Sequence, residues 1–318
     1  MTLAPVHVTL GVLTYKRPDG IAKLLEIMRG QVQTAERPYR LSIVVVDNDD
    51  AASSRDVVTA FAGHPAYSLH YVVEAQQGIP IARNRALDSA PADTDLFCFM
   101  DDDEWPVDDW VDSMLATRAT TSADCVYGPV EPVFEGPISD WLRSSRLYER
   151  KKYREGQKLD FAASNNVMFD LRRFRDLNIR FDERMRFTGG SDYLFFNQAH
   201  RRGIRIHWCE KALVYDMFPA SRLTIQWQRQ RQYRLGNTFA VATQLEGNRF
   251  EKFRQFARGV MRMGLGAAMS PAMLVSPYWG GRAMVHLLRG AGITIGMLGH
   301  SYEEYAPAKF TESVGTKS

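Results

Sequence analysis

The sequence predicts an α/β protein with a Rossmann-like, mostly parallel sheet, helices on both faces and a helical C-terminal region. Three observations carry this. From the start to about Tyr127, strand-like and helix-like patterns alternate, as they do in a parallel sheet covered by helices. The polar residues with most chemical potential follow the strands: Thr14-Tyr15-Lys16-Arg17, Asp47-Asn48-Asp49-Asp50 and Asp101-Asp102-Asp103. Such sheets bind ligands beyond the carboxyl ends of their strands. From about Phe250 the composition changes to stretches rich in Met, Ala, Leu and Gly.

The elements follow in order. Val6–Thr14 is strand-like, and Asp19–Gly30 has helical spacing at Ile21, Leu24, Leu25 and Met28. Leu41–Val46 is a β-branched strand ending at Asp47, followed by a helix over Ala52–Ala62 and a strand over Ser68–Glu74. Ile79–Ser89 is helical and Leu96–Met100 is a short apolar run, hence a buried strand. A helix is expected from Pro106 to about Thr121, then a strand over Ala123–Val133. Asp160–Asp170 reads as a strand containing Asn165 and Asn166. Phe187–His200 runs from a Gly-Gly turn into a helix, and Arg205–Cys209 and Ala212–Asp216 are short strands. Ser221–Gln244 is a long polar helix. Val260–Ser276 and Met284–Leu298 are broken by Pro271, Pro277 and several glycines, which predicts two or three short apolar helices. The expected domains are 1–245, catalytic, and 246–318, helical.

With 318 residues, 45% hydrophobic and 24% charged, the chain can bury a substantial core. A net charge of +3 is too small to argue for a nucleic-acid partner. Between Ser221 and Arg262, however, nine basic residues face two acids, which suits anionic phosphates or an anionic membrane face. The three cysteines, Cys98, Cys125 and Cys209, are far apart in apolar surroundings, so a reducing cytosol is expected. Met1–Thr9 has no basic stretch leading into a long apolar core, so no signal peptide is expected. No uninterrupted apolar run reaches the ~18 residues of a spanning helix.

Leu96-Phe97-Cys98-Phe99-Met100 ends in Asp101, Asp102, Asp103 and Glu104. Carboxylates crowded at a strand end raise one another's pKa unless a cation or hydrogen-bond donors compensate. Mg²⁺ or Mn²⁺ fits, since such ions take oxygen ligands from one or two carboxylates and from substrate phosphates. A solvated turn capping the next helix is the plainer alternative. Asp47 could accept from a nucleobase or ribose, or cap the helix near Ala52. Gly78-Ile79-Pro80 leads to Arg83, which could seat a phosphate, steady the acidic cluster or sit on a solvated face. Gly189-Gly190-Ser191-Asp192 precedes the aromatic run Tyr193–Phe196, so Asp192 is either a general base or a capping residue. Arg229, Arg231 and Arg234 share one helix and could neutralise a departing diphosphate, or be solvated.

The order of these motifs over about residues 6 to 240 resembles the family 2 glycosyltransferases of the GT-A fold. More narrowly, it resembles the succinoglycan-type exopolysaccharide glucosyltransferases. The supporting stretches are Gly11–Pro18, Val46–Asp49, Ile81–Asn84, Phe99–Glu104 and Arg231–Asn237. The resemblance implies that Thr14, Tyr15 and Arg17 border the nucleotide and that Asp47 contacts the base. Arg83 would help hold the nucleotide end and Asp101 would touch the sugar nucleotide. Asp103 would ligate the metal, and Asp192 would be the catalytic base.

Three departures mark this chain. Ser191 stands where the base motif usually has a first acid. Tyr215 stands where many relatives have a histidine metal ligand. Gln228-Arg229-Gln230-Arg231-Gln232 lacks the tryptophan of the processive Gln-x-x-Arg-Trp motif, which favours addition of one sugar per encounter. The expectation is an inverting enzyme using Mg²⁺ or Mn²⁺, with a UDP-sugar donor, glucose being the first candidate sugar, and a lipid-linked saccharide acceptor. It would sit peripherally at the cytoplasmic face of the cell membrane, in exopolysaccharide or cell-surface polysaccharide synthesis. The alternatives are a nucleotidyltransferase, or a non-catalytic nucleotide- or carbohydrate-binding protein of the same fold.

Overall fold

A computed structural model describes residues 5–33, 35 and 38–305. The elements in chain order are β1 (Val6–Thr14), α1 (Pro18–Gln33), β2 (Tyr39–Asp47), α2 (Arg55–Ala60), β3 (Ser68–Val73) and α3 (Ile79–Asp88). Then come β4 (Leu96–Asp101), β5 (Glu104–Pro106), α4 (Trp110–Thr121), β6 (Cys125–Tyr127), β7 (Val130–Phe134), α5 (Asp140–Ser145), β8 (Lys158–Leu159) and β9 (Val167–Asp170). The remainder are α6 (Leu171–Asp176), α7 (Ser191–Arg201), β10 (Ile206–Trp208), β11 (Val214–Phe218), α8 (Ile225–Glu246), α9 (Arg249–Met269) and α10 (Pro277–Met297). The chain divides into two units. One takes the chain up to Glu131 with Arg150–Glu183 and Asp192–Asp216; the other takes Pro132–Glu149, Arg184–Ser191 and the chain from Met217 on.

The first unit holds an eight-stranded sheet in the order β3-β2-β1-β4-β9-β6-β10-β8. The four strands from β3 to β4 are parallel, and β9 runs antiparallel to both β4 and β6. Side chains alternate between the faces of a strand, so each strand feeds two cores. Leu96, Cys98 and Met100 of β4 meet Leu24, Leu25 and Met28 of α1 and Trp110 of α4. Phe97 and Phe99 turn to the other face, with Ala82 and Ala86 of α3 and Phe195 and Phe196 of α7. Burying each such phenylalanine contributes ~1.5–3 kcal/mol. Gly11 keeps β1 open on that face, because a Cβ there would lie 2.6 Å from the Phe97 ring.

Register places the polar strand ends side by side. Thr14 aligns with Asp47 across β1–β2, and Leu13 aligns with Asp101 across β1–β4. The strand–helix alternation and the mostly parallel sheet expected from sequence are found.

Three local expectations give way. The helix expected from Pro106 begins at Trp110, because Glu104–Pro106 pairs antiparallel with β11, Glu104 opposite Asp216. The single strand expected over Ala123–Val133 divides at Gly128, where a Cβ would meet the Ala212 carbonyl at 2.4 Å. The strand expected over Asp160–Asp170 begins at Val167. Asn166, just before it, is instead a buried hub. Its Oδ1 accepts from Trp110 Nε1 at 2.8 Å, and its Nδ2 donates to the Pro129 and Ala212 carbonyls at 2.7 Å each.

In the second unit the apolar stretches form two full helices, α9 and α10, of 21 residues each, joined through the 3₁₀ turn Ser270–Leu274. Glycines in these stretches, Gly290 among those read as breakers, are points of contact. A Cβ at Gly266 would lie 2.6 Å from Leu287 N, and one at Gly290 would lie 2.7 Å from Met263 N. An Asn248–Glu251 capping box starts α9. Among the described residues, no helix is long and apolar enough to cross a membrane.

Candidate active site

The site is built at the carboxyl ends of β1, β2 and β4. Asp102 follows β4 and is drawn back under β1: Thr14 Oγ1 donates to its Oδ2 at 2.9 Å. Arg17 Nη1 bridges Asp102 Oδ1 at 3.2 Å and Asp103 Oδ2 at 2.8 Å. Lys16, at φ 56°, makes the turn that brings Arg17 to this position before α1 begins. Gly20 of α1 then lets the helix lie against the acidic loop, since a Cβ there would be 2.4 Å from the Asp102 carbonyl oxygen. Thr14, Arg17, Asp101, Asp102 and Asp103 are thus brought together. Tyr15 stands at the same strand end with the Lys16 ammonium 5.1 Å from its ring centre.

The acids crowd one another. Burial pushes the Asp101 carboxyl well up, the charge of Arg83 opposes this, and Asp103, Asp102 and Asp216 add to it. Asp102 is pushed up to about 6, mainly by burial, against the pull of Arg17. Glu104 is raised well above the usual carboxylate range by burial and by Asp101 and Asp216. Its Oε1 accepts from Asn165 Nδ2 at 2.9 Å.

Glu104 belongs to the acidic run seen in the sequence, whereas Asp216, Asn165 and Arg150 had no role expected from it. The search on β11 fell on Tyr215, which pairs with Trp105; its neighbour Asp216 is opposite Glu104 and accepts from Arg150 Nη2 at 2.6 Å. Strict alternation along Val214-Tyr215-Asp216 is the signal that could have pointed to it.

Asp47 is fully buried. Asp49 N donates to its Oδ1 at 3.2 Å, and Ser54 N and the Tyr71 hydroxyl donate to its Oδ2 at 2.8 and 2.7 Å. These bonds fix the loop before α2. Asn48, with no role expected at the level of sequence, joins β2 to the start of α3. Its Nδ2 donates to the Glu74 and Gln76 carbonyls at 2.7 and 3.0 Å, and its Oδ1 accepts from Gly78 N at 2.8 Å. Gly78, at φ 150°, takes a backbone conformation that side chains rarely adopt. One turn later Arg83 is buried, 5.4 Å from the Phe181 ring centre, with its charge acting on Asp101.

Asp192 heads α7 after Gly189 and Gly190, both left-handed at φ 74° and 76°. Tyr193 N donates to its Oδ1 at 2.8 Å. It shares a neighbour with the acidic cluster: burial raises the Tyr127 phenol to about 12, with the charges of Asp192 and Glu104 adding to the rise. Arg231 and Arg234 lie on α8 in the second unit. Arg231 stacks 5.1 Å from the Trp227 ring centre, and Arg234 pairs with Glu304 at 3.0 Å.

No group of three or more His, Cys, Asp or Glu among the described residues is placed to hold a metal. The donor set suits a hard cation that brings oxygens with it. Mg²⁺ and Mn²⁺ bind through one or two carboxylates plus substrate phosphates, and positive charge here would relieve the repulsion that lifts Asp101 and Asp102.

Across nearly its whole length the chain is similar to the succinoglycan biosynthesis protein ExoM of Rhizobium meliloti (strain 1021). The two are 27% identical over 309 residues, which is 97% of this chain and 98% of that protein. Among solved structures, S. aureus TarS 1-349 in complex with UDP-GlcNAc matches with a TM-score of 0.55 at 15% identity, over 90% of each chain. GalNAc-T7 with UDP, GalNAc and Mn²⁺ matches with a TM-score of 0.57 at 12% identity, over 81% of this chain and 51% of that one. These structural likenesses are likenesses of fold, and the fold is GT-A. The model of the family described as Glycosyl transferase family 2 matches residues 9–177, a stretch that runs from β1 through the acidic loop to α6. The chain belongs to that family and is a glycosyltransferase.

Proposed function

We propose that the chain transfers one sugar per encounter, with inversion, from a UDP-sugar, glucose being the first candidate, to a lipid-linked saccharide. The observation that carries this reading is the acidic loop Asp101–Asp103, held by Thr14 and Arg17 at the mouth of the sheet, with Asp192 beyond Tyr127. ExoM's part in succinoglycan biosynthesis supports a role in polysaccharide synthesis, and the UDP-GlcNAc bound to TarS supports a UDP-sugar donor.

In this reading the nucleotide lies over the ends of β1 and β2, bordered by Thr14, Tyr15 and Arg17. Asp47 stands on the base side of the nucleotide and fixes the Asp49–Asp50 loop. Arg83 holds the nucleotide end and balances Asp101, which touches the sugar nucleotide. Asp103, with Asp101, would hold Mg²⁺ or Mn²⁺, and a bound cation supplies positive charge to the diphosphate. The Asp192 carboxylate accepts the proton of the acceptor hydroxyl. That oxygen forms its bond to the anomeric carbon from the face opposite the diphosphate, the bond to the β-phosphate oxygen breaks, and UDP leaves. Groups aimed at developing charge are usually the largest single catalytic contribution.

The enzyme would work peripherally at the cytoplasmic face of the membrane. Its basic α8–α9 segment supports this, as do exposed apolar residues such as Leu274, Val275 and Trp279.

Calorimetry with UDP tests the site. Binding should weaken strongly when Mg²⁺ and Mn²⁺ are chelated, and Asp103→Ala should remove that dependence. Tight UDP binding in chelator, unchanged by the substitution, would overturn the assignment. A screen of UDP-sugars with membrane lipid extract tests the reaction. Release of UDP is expected, and release of a sugar 1-phosphate would mark a nucleotidyltransferase instead.

A further inference from the structure

In the second unit, positive charge gathers where α9 and α10 meet. Arg282, His286 and Arg289 follow one another at i, i+4 and i+7 on α10 and so share a face. The glycine seam presses α9 against them: Gly266 meets Ala283 and Leu287, and Gly290 meets Gly259 and Met263. This brings Arg262 of α9 beside that face, where its charge acts on both His286 and Arg289. The acids that α8, α9 and α10 carry are Glu246 and Glu251. Glu251 is engaged in the α9 capping box, about three turns before Arg262.

The donors in this cluster are only partly used. Arg289 Nε donates to Gln232 Oε1 at 2.7 Å. Arg262 Nε and His286 Nδ1 are buried and have no hydrogen-bond partner among the described residues. Guanidinium groups stay protonated at neutral pH. Two of them, Arg262 and Arg289, half-buried beside His286 with unmet donors, are costly unless an anion joins them. Burial and the neighbouring guanidiniums press Arg289 down to about 10 and lower His286, which is the electrostatic mark of that cost.

The same helices expose apolar side chains. Met261 and Leu265 flank Arg262, and Leu274, Val275 and Trp279 lie within about two turns of Arg282, Leu274 being 91% exposed. A free phosphate would satisfy the charges and leave these surfaces in water. A lipid that carries a phosphate or diphosphate satisfies both.

We infer that Arg262, Arg282, His286 and Arg289 form a binding site for the phosphate or diphosphate of a lipid, whose chain lies along the exposed apolar residues of α9, α10 and the turn between them. The inference rests on the reading of the acceptor as lipid-linked, and assigns to this site the anchor of that acceptor rather than its sugar end.

The test uses the full chain and three probes: farnesyl diphosphate, farnesol and inorganic pyrophosphate. Calorimetry reads binding. Farnesyl diphosphate should bind, with farnesol and pyrophosphate each at least ~10-fold weaker. Arg262→Gln and Arg282→Gln should each weaken it by roughly tenfold, as loss of one charge-assisted hydrogen bond does. Arg282 is exposed and outside the buried network, so its replacement keeps the test valid where Arg262→Gln disturbs folding, as circular dichroism would reveal. Equal binding of pyrophosphate, equal binding of farnesol, or farnesyl diphosphate binding that survives both substitutions would overturn the site. UDP binding with Mg²⁺ is measured on the same samples. Loss of the lipid site leaves it intact, whereas failure of the nucleotide-sugar reading abolishes it in the unaltered chain too.

Discussion

Replacing Asp192 by asparagine preserves the volume and the acceptor that Tyr193 N uses, and removes only the base. UDP-sugar binding should stay near that of the unaltered chain while transfer slows by ~10²–10⁴-fold, the usual contribution of a general base. Single-turnover assays separate the two quantities, and transfer at an undiminished rate would place the base elsewhere. Asp124 illustrates a purely structural acid. Its carboxylate is buried, which raises its pKa, but Arg205 donates to it through N, Nε and Nη2 at 3.0, 2.9 and 3.0 Å, and the net effect is a lowered pKa. A lowered folded-state pKa means the unfolded chain binds more protons, so this stabilisation is complete above the unfolded value of about 3.9 and fades as pH falls through the folded one. Asp124→Asn should cost ~1–3 kcal/mol at pH 7. Urea unfolding at pH 7 and pH 3 should show that difference shrinking at the lower pH.

Gly20 and the α9–α10 seam pose the same question at the level of elements. Alanine in place of glycine inside a helix normally gains ~0.8–1.0 kcal/mol. At Gly20 the new Cβ would lie 2.4 Å from the Asp102 carbonyl oxygen, so the helix must retreat from the acidic loop. Gly20→Ala should therefore weaken Mg²⁺-dependent UDP binding while the protein stays folded, and calorimetry on this variant decides the matter. Gly290→Val inserts atoms where even a Cβ meets Met263 N at 2.7 Å. Overpacking of this kind costs ~1–3 kcal/mol, and a lowered unfolding midpoint followed through Trp279 fluorescence would register it. The sequence showed these glycines but not their use. A glycine within an apolar stretch reads as a break, and only the helix packed against it reveals it as a point of close approach.

For the whole molecule, the prediction concerns the membrane. Flotation with anionic vesicles should capture the full chain, less so in high salt, because each basic residue near such a surface contributes ~1 kcal/mol that ions screen. Leu274→Ser with Val275→Ser removes two of the most exposed apolar side chains and should reduce capture. A chain that ignores such vesicles at low salt would leave the apolar residues to another role.

The sequence by itself determined the alternation of strands and helices, the buried strand Leu96–Met100 and the chemistry-bearing clusters at strand ends. Each is a local pattern, set by side chains a few positions apart. It also marked Thr14, Arg17, Arg83, Asp103 and Asp192 as candidates, because their motifs are short. What the tertiary structure alone decided depends on partners far away in the chain. Glu104 and Asp216 become neighbours through the β5–β11 register. Asn166 joins Trp110, Pro129 and Ala212. Arg262 meets His286 and Arg289 because glycines let α9 and α10 close on each other. Register and helix contact come from the packing of the whole chain, so no window of sequence contains them.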